Sequence, residues 1–470
     1  MSKASSILTS VALSIAIAGS LASLSALMLS CQQLNPQFCT THPLDVDCAG
    51  RAGIGIDAGS CTSDMQCMKP TPVCDIASSM CVQCTAAEAS ACSGTTPLCG
   101  ADEVCHGCTI DSECASLTCL PDGACASVLD VLYVNPDGSH TATCMPDDHC
   151  SLARGISLID GTKSTIRLDP AHYRLLSTLT LPNDLRLVGR DAVIDRDASG
   201  AGITLVIPDS TTITLDYVTV QGGDGAVGHG IRCSNATVTM RDVTIRDNGG
   251  AGIHSTGCAL TISHAQIVGN QGIGIAVTDG SLTLTRSLVL ANQGGGVSLT
   301  GARYDLVNDI IVKNGGPNSL FGGLLISQVA APAGHLFGFN TVAQNQASIG
   351  MTPGVLCSVI LAPIPLTSSI VFDNGAGLQV DGINCNWTYS DIGATGSSGA
   401  SRASGAGVSS GSGNLSSVPQ FIDSAHNNFH LRVSSPVRDA ADPAATLAVD
   451  IDGDSRPQGA GRDMGADEIK

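Results

Sequence analysis

Between about residues 200 and 390 the hydrophobic positions fall into short runs. Some alternate with polar residues, as in Leu282-Thr-Leu284, and others are continuous for three residues, as in Leu288-Val289-Leu290. Alternation predicts a strand buried on one face, and a short continuous run predicts a strand covered on both. No stretch here keeps helical spacing over three turns. The runs recur in register: Val243-Thr-Ile245-Arg-Asp-Asn248, Ala265-Gln-Ile267-Val-Gly-Asn270, Ser287-Leu-Val289-Leu-Ala-Asn292 and Asp309-Ile-Ile311-Val-Lys-Asn314 place their asparagines 22 residues apart. Val342-Ala-Gln-Asn345 and Val371-Phe-Asp-Asn374 follow after 31 and 29 residues, so insertions enlarge the later repeats. A fixed period of this size predicts a solenoid in which each coil holds about three short strands. Several of these asparagines precede glycines, as in Asn248-Gly-Gly and Asn292-Gln-Gly-Gly-Gly. Asn and Gly tolerate the left-handed backbone of a tight corner. Coils stacked about 4.8 Å apart would join Asn248, Asn270, Asn292 and Asn314 in an amide ladder.

A second repeat lies upstream. Twelve cysteines form three units, Cys61/67/74/81, Cys84/92/99/105 and Cys108/114/119/125, starting 23 to 24 residues apart. Pro72-Val73-Cys74 is echoed by Pro97-Leu98-Cys99. Each unit has too few large apolar residues for its own core, so covalent staples must hold it. Zinc is the alternative, because two Cys-x2-Cys pairs are separated by ribbon-like spacing. The chain's start weighs against zinc. Lys3 precedes an apolar stretch from Ile7 to Leu29 that ends at Ser30-Cys31, the order of an export signal. The stretch is also long enough for a membrane span, although rich in Ser, Ala and Gly. In an oxidising compartment the thiols become disulfides.

Composition sharpens the picture. The net charge is −19, and only Glu88, Glu103, Glu113 and Glu468 among the 41 acidic residues are glutamates. Aspartate favours turns and glutamate favours helices, so an all-β, turn-rich chain is expected. The negative balance argues against nucleic acid as a partner and for a soluble monomer that repels its copies.

Leu27-Met28-Leu29-Ser30-Cys31 resembles the bacterial lipoprotein cleavage box, in which the cysteine carries the lipid; Met28 and Leu29 depart from the usual residues. Removing Cys31 as an acyl carrier from 21 cysteines leaves 20, which can all pair. The cysteine units resemble short repeats that follow lipoprotein signals in surface proteins of myxobacterium-like bacteria, which implies a stalk. Residues from about 130 to 470 resemble the right-handed parallel β-helix family of pectate-lyase-like proteins. The resemblance rests on the asparagine repeats, on Leu132-Tyr-Val-Asn-Pro-Asp-Gly138 as the opening strand, and on a closing pattern with Pro419-Gln-Phe-Ile-Asp423, Asp450-Ile-Asp-Gly453, Arg456-Pro457 and Asp463-Met-Gly-Ala-Asp467. Together the three stretches give this order: an export signal (1–30), a linker (31–60), cysteine units (61–125), β-helix coils (126–396), a Ser/Gly-rich loop (397–413) and a closing segment (414–470). Stacked coils bring equivalent positions within disulfide reach, which pairs Cys233 with Cys258 and Cys357 with Cys385. Cys144 and Cys150 would close a short loop before the first coils.

Lyases and glycoside hydrolases share this fold, which makes their chemistry the first candidate. Gly228-His229-Gly230 matches a polygalacturonase-like motif, but the paired carboxylates such hydrolysis needs are missing about one coil upstream, at Val206-Ile-Pro-Asp-Ser210. His229 is read as a turn residue. Asp195-Arg196-Asp197 and Asp216 with Asp242 could gather as calcium ligands, yet no arginine motif follows to supply a base. Asp450-x-Asp452-Gly-Asp454 has calcium-loop chemistry without a distal glutamate and reads as a turn. Gly294-Gly-Gly296 lacks the helix that phosphate binding uses. No catalytic residue, metal or cofactor is therefore expected. The expected function is a lipid-anchored surface scaffold for adhesion or carbohydrate or matrix binding; the alternative is a secreted polysaccharide-active lyase or hydrolase.

Overall fold

The structure is a computed structural model that describes residues 61–197, 200–327, 334–358, 360–393 and 411–470, with the backbone strand Ser401–Ala403. Cys31, the 1–30 and 31–60 segments and most of the 397–413 loop lie outside the described residues. The chain divides into two compact units after Gly107.

In the first unit each cysteine repeat folds as a two-stranded antiparallel hairpin, Val73–Asp75 with Met80–Val82 and Leu98–Cys99 with Cys105–His106. Disulfides join the first cysteine to the third and the second to the fourth: Cys61–Cys74 and Cys67–Cys81, then Cys84–Cys99 and Cys92–Cys105. Met65, Met68 and Ile76 are left exposed, as expected where disulfides rather than a core carry the fold.

The second unit begins with the third cysteine repeat, stapled in the same order by Cys108–Cys119 and Cys114–Cys125. It docks on the first coils: Tyr133 Oη donates to the Ser116 carbonyl at 2.7 Å and Arg167 Nε to the Leu117 carbonyl at 2.7 Å. Asp111 lies 3.5 Å from Arg190, and Asp122 lies 3.7 Å from Arg241.

The rest is a solenoid of three parallel sheets. Sheet A has eleven strands, from Val131–Ser139 to Cys385–Thr388; sheet B has ten, from His172–Leu175 to Asp391–Gly393; sheet C has ten, from Leu179–Thr180 to Ser401–Ala403. Each coil visits A, B and C in turn. Strand alternation sends one side-chain rank inward, so Val220, Ile245, Ile267, Val289, Ile311 and Val342 stack in register, all fully buried. Burying each such side chain stabilises by roughly 1.5–3 kcal/mol.

Corners are tighter than the asparagine pattern suggests. The left-handed residue is the one before each ladder asparagine, with φ of 54° at Asp247, 57° at Ala291 and 55° at Lys313. The asparagines point inward and satisfy backbone groups, while the neighbour absorbs the turn. The outer face of sheet B changes character along the solenoid. Leu288, Leu290, Ile310 and Val312 are covered by Phe421, Phe429, Ile451 and Ala466 of the closing segment. That cover explains the continuous apolar runs there. A buried Arg456–Glu468 pair at 3.0 Å holds the closing segment together.

Candidate functional site

The outer face of sheet A carries a regular polar surface along four successive coils. In the strands Thr212–Asp216, Thr237–Arg241, Ala259–Ser263 and Ser281–Thr285, the alternate residues Ile213, Val238, Leu260 and Leu282 point into the core. Their neighbours must then face outward. Parallel register aligns Thr214, Thr239, Thr261 and Thr283 in one rank and Thr212, Thr237, Ala259 and Ser281 in the next. Neighbouring rungs are about 4.8 Å apart. β-branching restricts each threonine rotamer, so the hydroxyls hold their direction. Among the described residues, no side-chain hydrogen bond within the chain occupies the hydroxyls of Thr214, Thr239, Thr261 or Thr283.

Charge lies at the borders of this face. Asp216 is fully buried and receives both Arg241 Nε at 2.9 Å and Nη2 at 3.0 Å, with Arg186 at 3.6 Å. Burial raises the Asp216 pKa while the arginines oppose the shift. At the other border the sheet A ranks continue into Val307, Leu336 and Gly338. With Phe339 and the stretch Asp442–Ala448 these line an apolar pocket of about 490 Å³.

The residues singled out for chemistry do not assemble. Asp216 is engaged by arginine, and Asp242 sits at a left-handed corner on the surface. Asp195 accepts from Gln221, and Asp197 pairs with Arg174 at 2.9 Å. His229 is half-buried, accepts the Ala251 N–H through Nδ1 at 3.0 Å and stacks on His254 with centroids 4.7 Å apart. Burial first, then His254 and Arg232, push its pKa down to about 4, so it stays neutral. At Gly295, with φ of 125°, a Cβ would meet the Phe321 ring at 2.6 Å; this glycine serves a close approach. Asp450 spends its carboxylate on the N–H groups of Asp452, Asp454 and Glu468. Asp452 and Asp454 are near enough to share an ion with it, but Asp452 pairs with His430 and Asp454 with Lys470. Trp387 is buried edge-on to Phe337 and offers no platform to a sugar.

The internal polar residues form two ladders. Asn248 Nδ2 donates to Asn270 Oδ1 at 2.8 Å, Asn270 to Asn292 at 2.8 Å, and Asn292 to Asn314 at 2.9 Å. The chain continues through Asn345 and Asn374 and ends on Gln379. At the A-to-B corner a second ladder uses mixed residues: the N–H groups of Ala265, Ser287, Asp309 and Asn340 donate to Ser287, Asp309, Asn340 and Ser369. No repeated residue type marks this ladder in the sequence. Disulfides bridge Cys233–Cys258 and Cys357–Cys385, with Cα atoms 6.4 and 6.3 Å apart, and Cys144–Cys150 at 4.7 Å.

Two stretches of the chain match known protein families. Residues 201–397 match the family described as right handed beta helix region. The solenoid is a right-handed parallel β-helix. Residues 30–131 match a family of unknown function (DUF8331), and no curated protein matches the chain. Among solved structures, the β-helix resembles pectate lyase Pel9A at 15% identity and a TM-score of 0.46, covering 72% of this chain and 96% of that one. A rhamnogalacturonan lyase matches at 12% identity and 0.35, covering 62% and 90%. The Azotobacter vinelandii mannuronan C-5 epimerase AlgE4 A-module matches at 15% and 0.28, covering 51% and 72%. Likenesses this weak carry no activity to the β-helix described here.

Proposed function

We propose that this chain is an exported surface protein, lipid-anchored through Cys31, whose β-helix holds carbohydrate or matrix without cleaving it. The supporting observation is the outer face of sheet A: aligned, uncommitted threonine hydroxyls with no paired carboxylates and no calcium-plus-base set beside them among the described residues. Hydrolysis by this route needs two carboxyl groups flanking one bond, and the Asp216 carboxylate at the border is bound by Arg241. Nine described disulfides and the Ser30-Cys31 junction support export. The test pairs a binding measurement on an insoluble and soluble glycan panel with a lyase and hydrolase screen on the same polymers. Retention without shortened products is the expected result. Release of unsaturated or reducing ends would establish the enzyme alternative. For the anchor, Cys31→Ser is expected to move the protein from the detergent phase to the aqueous phase; a variant that stays membrane-bound at unchanged size refutes lipidation.

A further inference from the structure

We infer that the glycan held on sheet A is uncharged. This rests on the glycan-binding reading above and adds the chemical class of the ligand. A polyuronate brings one carboxylate per acidic sugar, and each needs a cation or a cluster of donors when it lands on a protein surface. The arginines bordering the face each have a partner within the chain, and the two beside Asp216 are held by its carboxylate. Arg186 lies 3.6 Å from Asp216, and Arg241 is bidentate to Asp216 with Asp122 at 3.7 Å. Arg303 Nε donates to the Gly334 carbonyl at 2.8 Å, and Arg286 Nε to the Ile451 carbonyl at 3.1 Å. Taking a ligand carboxylate from Arg241 would strip a fully buried Asp216 of its partner, which is costly. Acidic groups, in contrast, sit on the path: Asp305 continues the threonine rank and Asp442 lines the pocket beyond it. With a chain net charge of −19, the field opposes a polyanion.

What remains suits a neutral polyol. Hydroxyls both donate and accept, so a rank of four threonines can exchange hydrogen bonds with sugar hydroxyls without moving charge out of water. The outward threonine methyl groups and the apolar pocket at Val307, Leu336 and Phe339 can meet the aliphatic faces of sugar rings.

The full disulfide-bonded chain carrying Cys31→Ser would be run against cellulose, chitin and laminarin, and against polygalacturonate and alginate, at low and at several-fold higher salt. Expected is retention on at least one uncharged polymer, little changed by salt because no ion pair is made. Replacing Thr261 and Thr283 together by Val keeps shape and β-branching and removes two hydroxyls; it should weaken retention about tenfold. The matched pair Thr256→Val and Thr278→Val, aligned on the exposed edge of sheet C, should leave retention unchanged, and circular dichroism should match for all. Preference for the polyuronates, falling with salt, overturns the uncharged ligand while leaving glycan binding intact. No retention on any polymer overturns glycan binding itself. Equal retention by the sheet A and sheet C pairs overturns the assignment of the face.

Discussion

Asp309 offers a direct test of the second ladder. It is fully buried, and its Oδ1 accepts the Ser287 N–H at 2.9 Å while its own N–H donates to Asn340 at 2.9 Å. At the other rungs the side chain also donates to a carbonyl: Ser287 Oγ to Thr285 at 2.9 Å, Asn340 Nδ2 to Leu306 at 2.8 Å, Ser369 Oγ to Thr367 at 2.8 Å. Asp309 Oδ2 stands in that donor position and has no partner. Burial raises the Asp309 pKa well above the ordinary carboxyl range, against the opposing N–H groups of Ser287 and Val307. Burial thus favours the protonated acid, which can serve this rung as an asparagine would. An unfolded aspartate ionises near about 3.9. Because the folded pKa is the higher, the stabilisation is complete below that value and is lost as pH rises toward the folded pKa. The loss is about 1.4 kcal/mol per pH unit. Asp309→Asn supplies the donor permanently and cannot titrate. It is expected to match the wild type near pH 4 and to become the more stable chain as pH rises, with the gap widening at that slope up to the folded pKa and constant beyond it. Urea unfolding from pH 4 to 8, followed by the single, buried Trp387, measures it, and other carboxylates cancel in the difference. A gap that stays constant over this range, or an Asn variant less stable at pH 7, refutes the protonated rung.

Three further outcomes follow from the same geometry. Asn292→Ala removes the acceptor of the Asn270 N–H and the donor to the Ile267 carbonyl, so it should cost roughly 3–5 kcal/mol in urea unfolding, whereas Asp279→Asn at an exposed left-handed corner should stay within about 0.5 kcal/mol; equal values would refute the ladder. Arg241→Ala leaves Asp216 with only Arg186 at 3.6 Å and should cost about 3–5 kcal/mol. It should also speed proteolysis within residues 108–125, and unchanged cleavage there would count against the docking of the third cysteine unit. Replacing Cys233 and Cys258 by Ser opens a loop of 25 residues and should lower stability by about 3 kcal/mol, read as a lower urea midpoint; an unchanged midpoint would refute the bridge as a stabiliser.

Repetition decided what could be read from the chain. The inner aliphatic ranks and the asparagine ladder repeat one residue type at one spacing, because identical environments recur every coil, so a 22-residue period carries them directly. The A-to-B ladder meets the same physical need with Ser287, Asp309, Asn340 and Ser369. Any short side chain with the right acceptor serves there, and no period survives the choice. The corners differ for a similar reason: the left-handed position accepts Asp, Ala, Lys or Gln, which hides it behind the conspicuous asparagine that follows. The docking of the third cysteine unit depends on Asp111 and Asp122 meeting Arg190 and Arg241, partners separated by 79 and 119 residues, and local pattern holds no trace of such pairs. The continuous run Ile310-Ile-Val312, in contrast, signals a cover on sheet B before the cover is known.

The placement of polar groups separates what holds the β-helix from what it presents. Inward and corner groups are spent on backbone donors and acceptors, and each coil leans only on its neighbours. Outward threonines on sheet A contribute strand shape and little else, so their hydroxyls can change at small cost to folding. The hydroxyl pattern of that face can therefore vary without disturbing the ladders beneath. For this reason the Thr261 and Thr283 substitutions test recognition rather than stability, whereas changing Asn292, Asp309 or Arg241 reports on the scaffold and says nothing of the ligand.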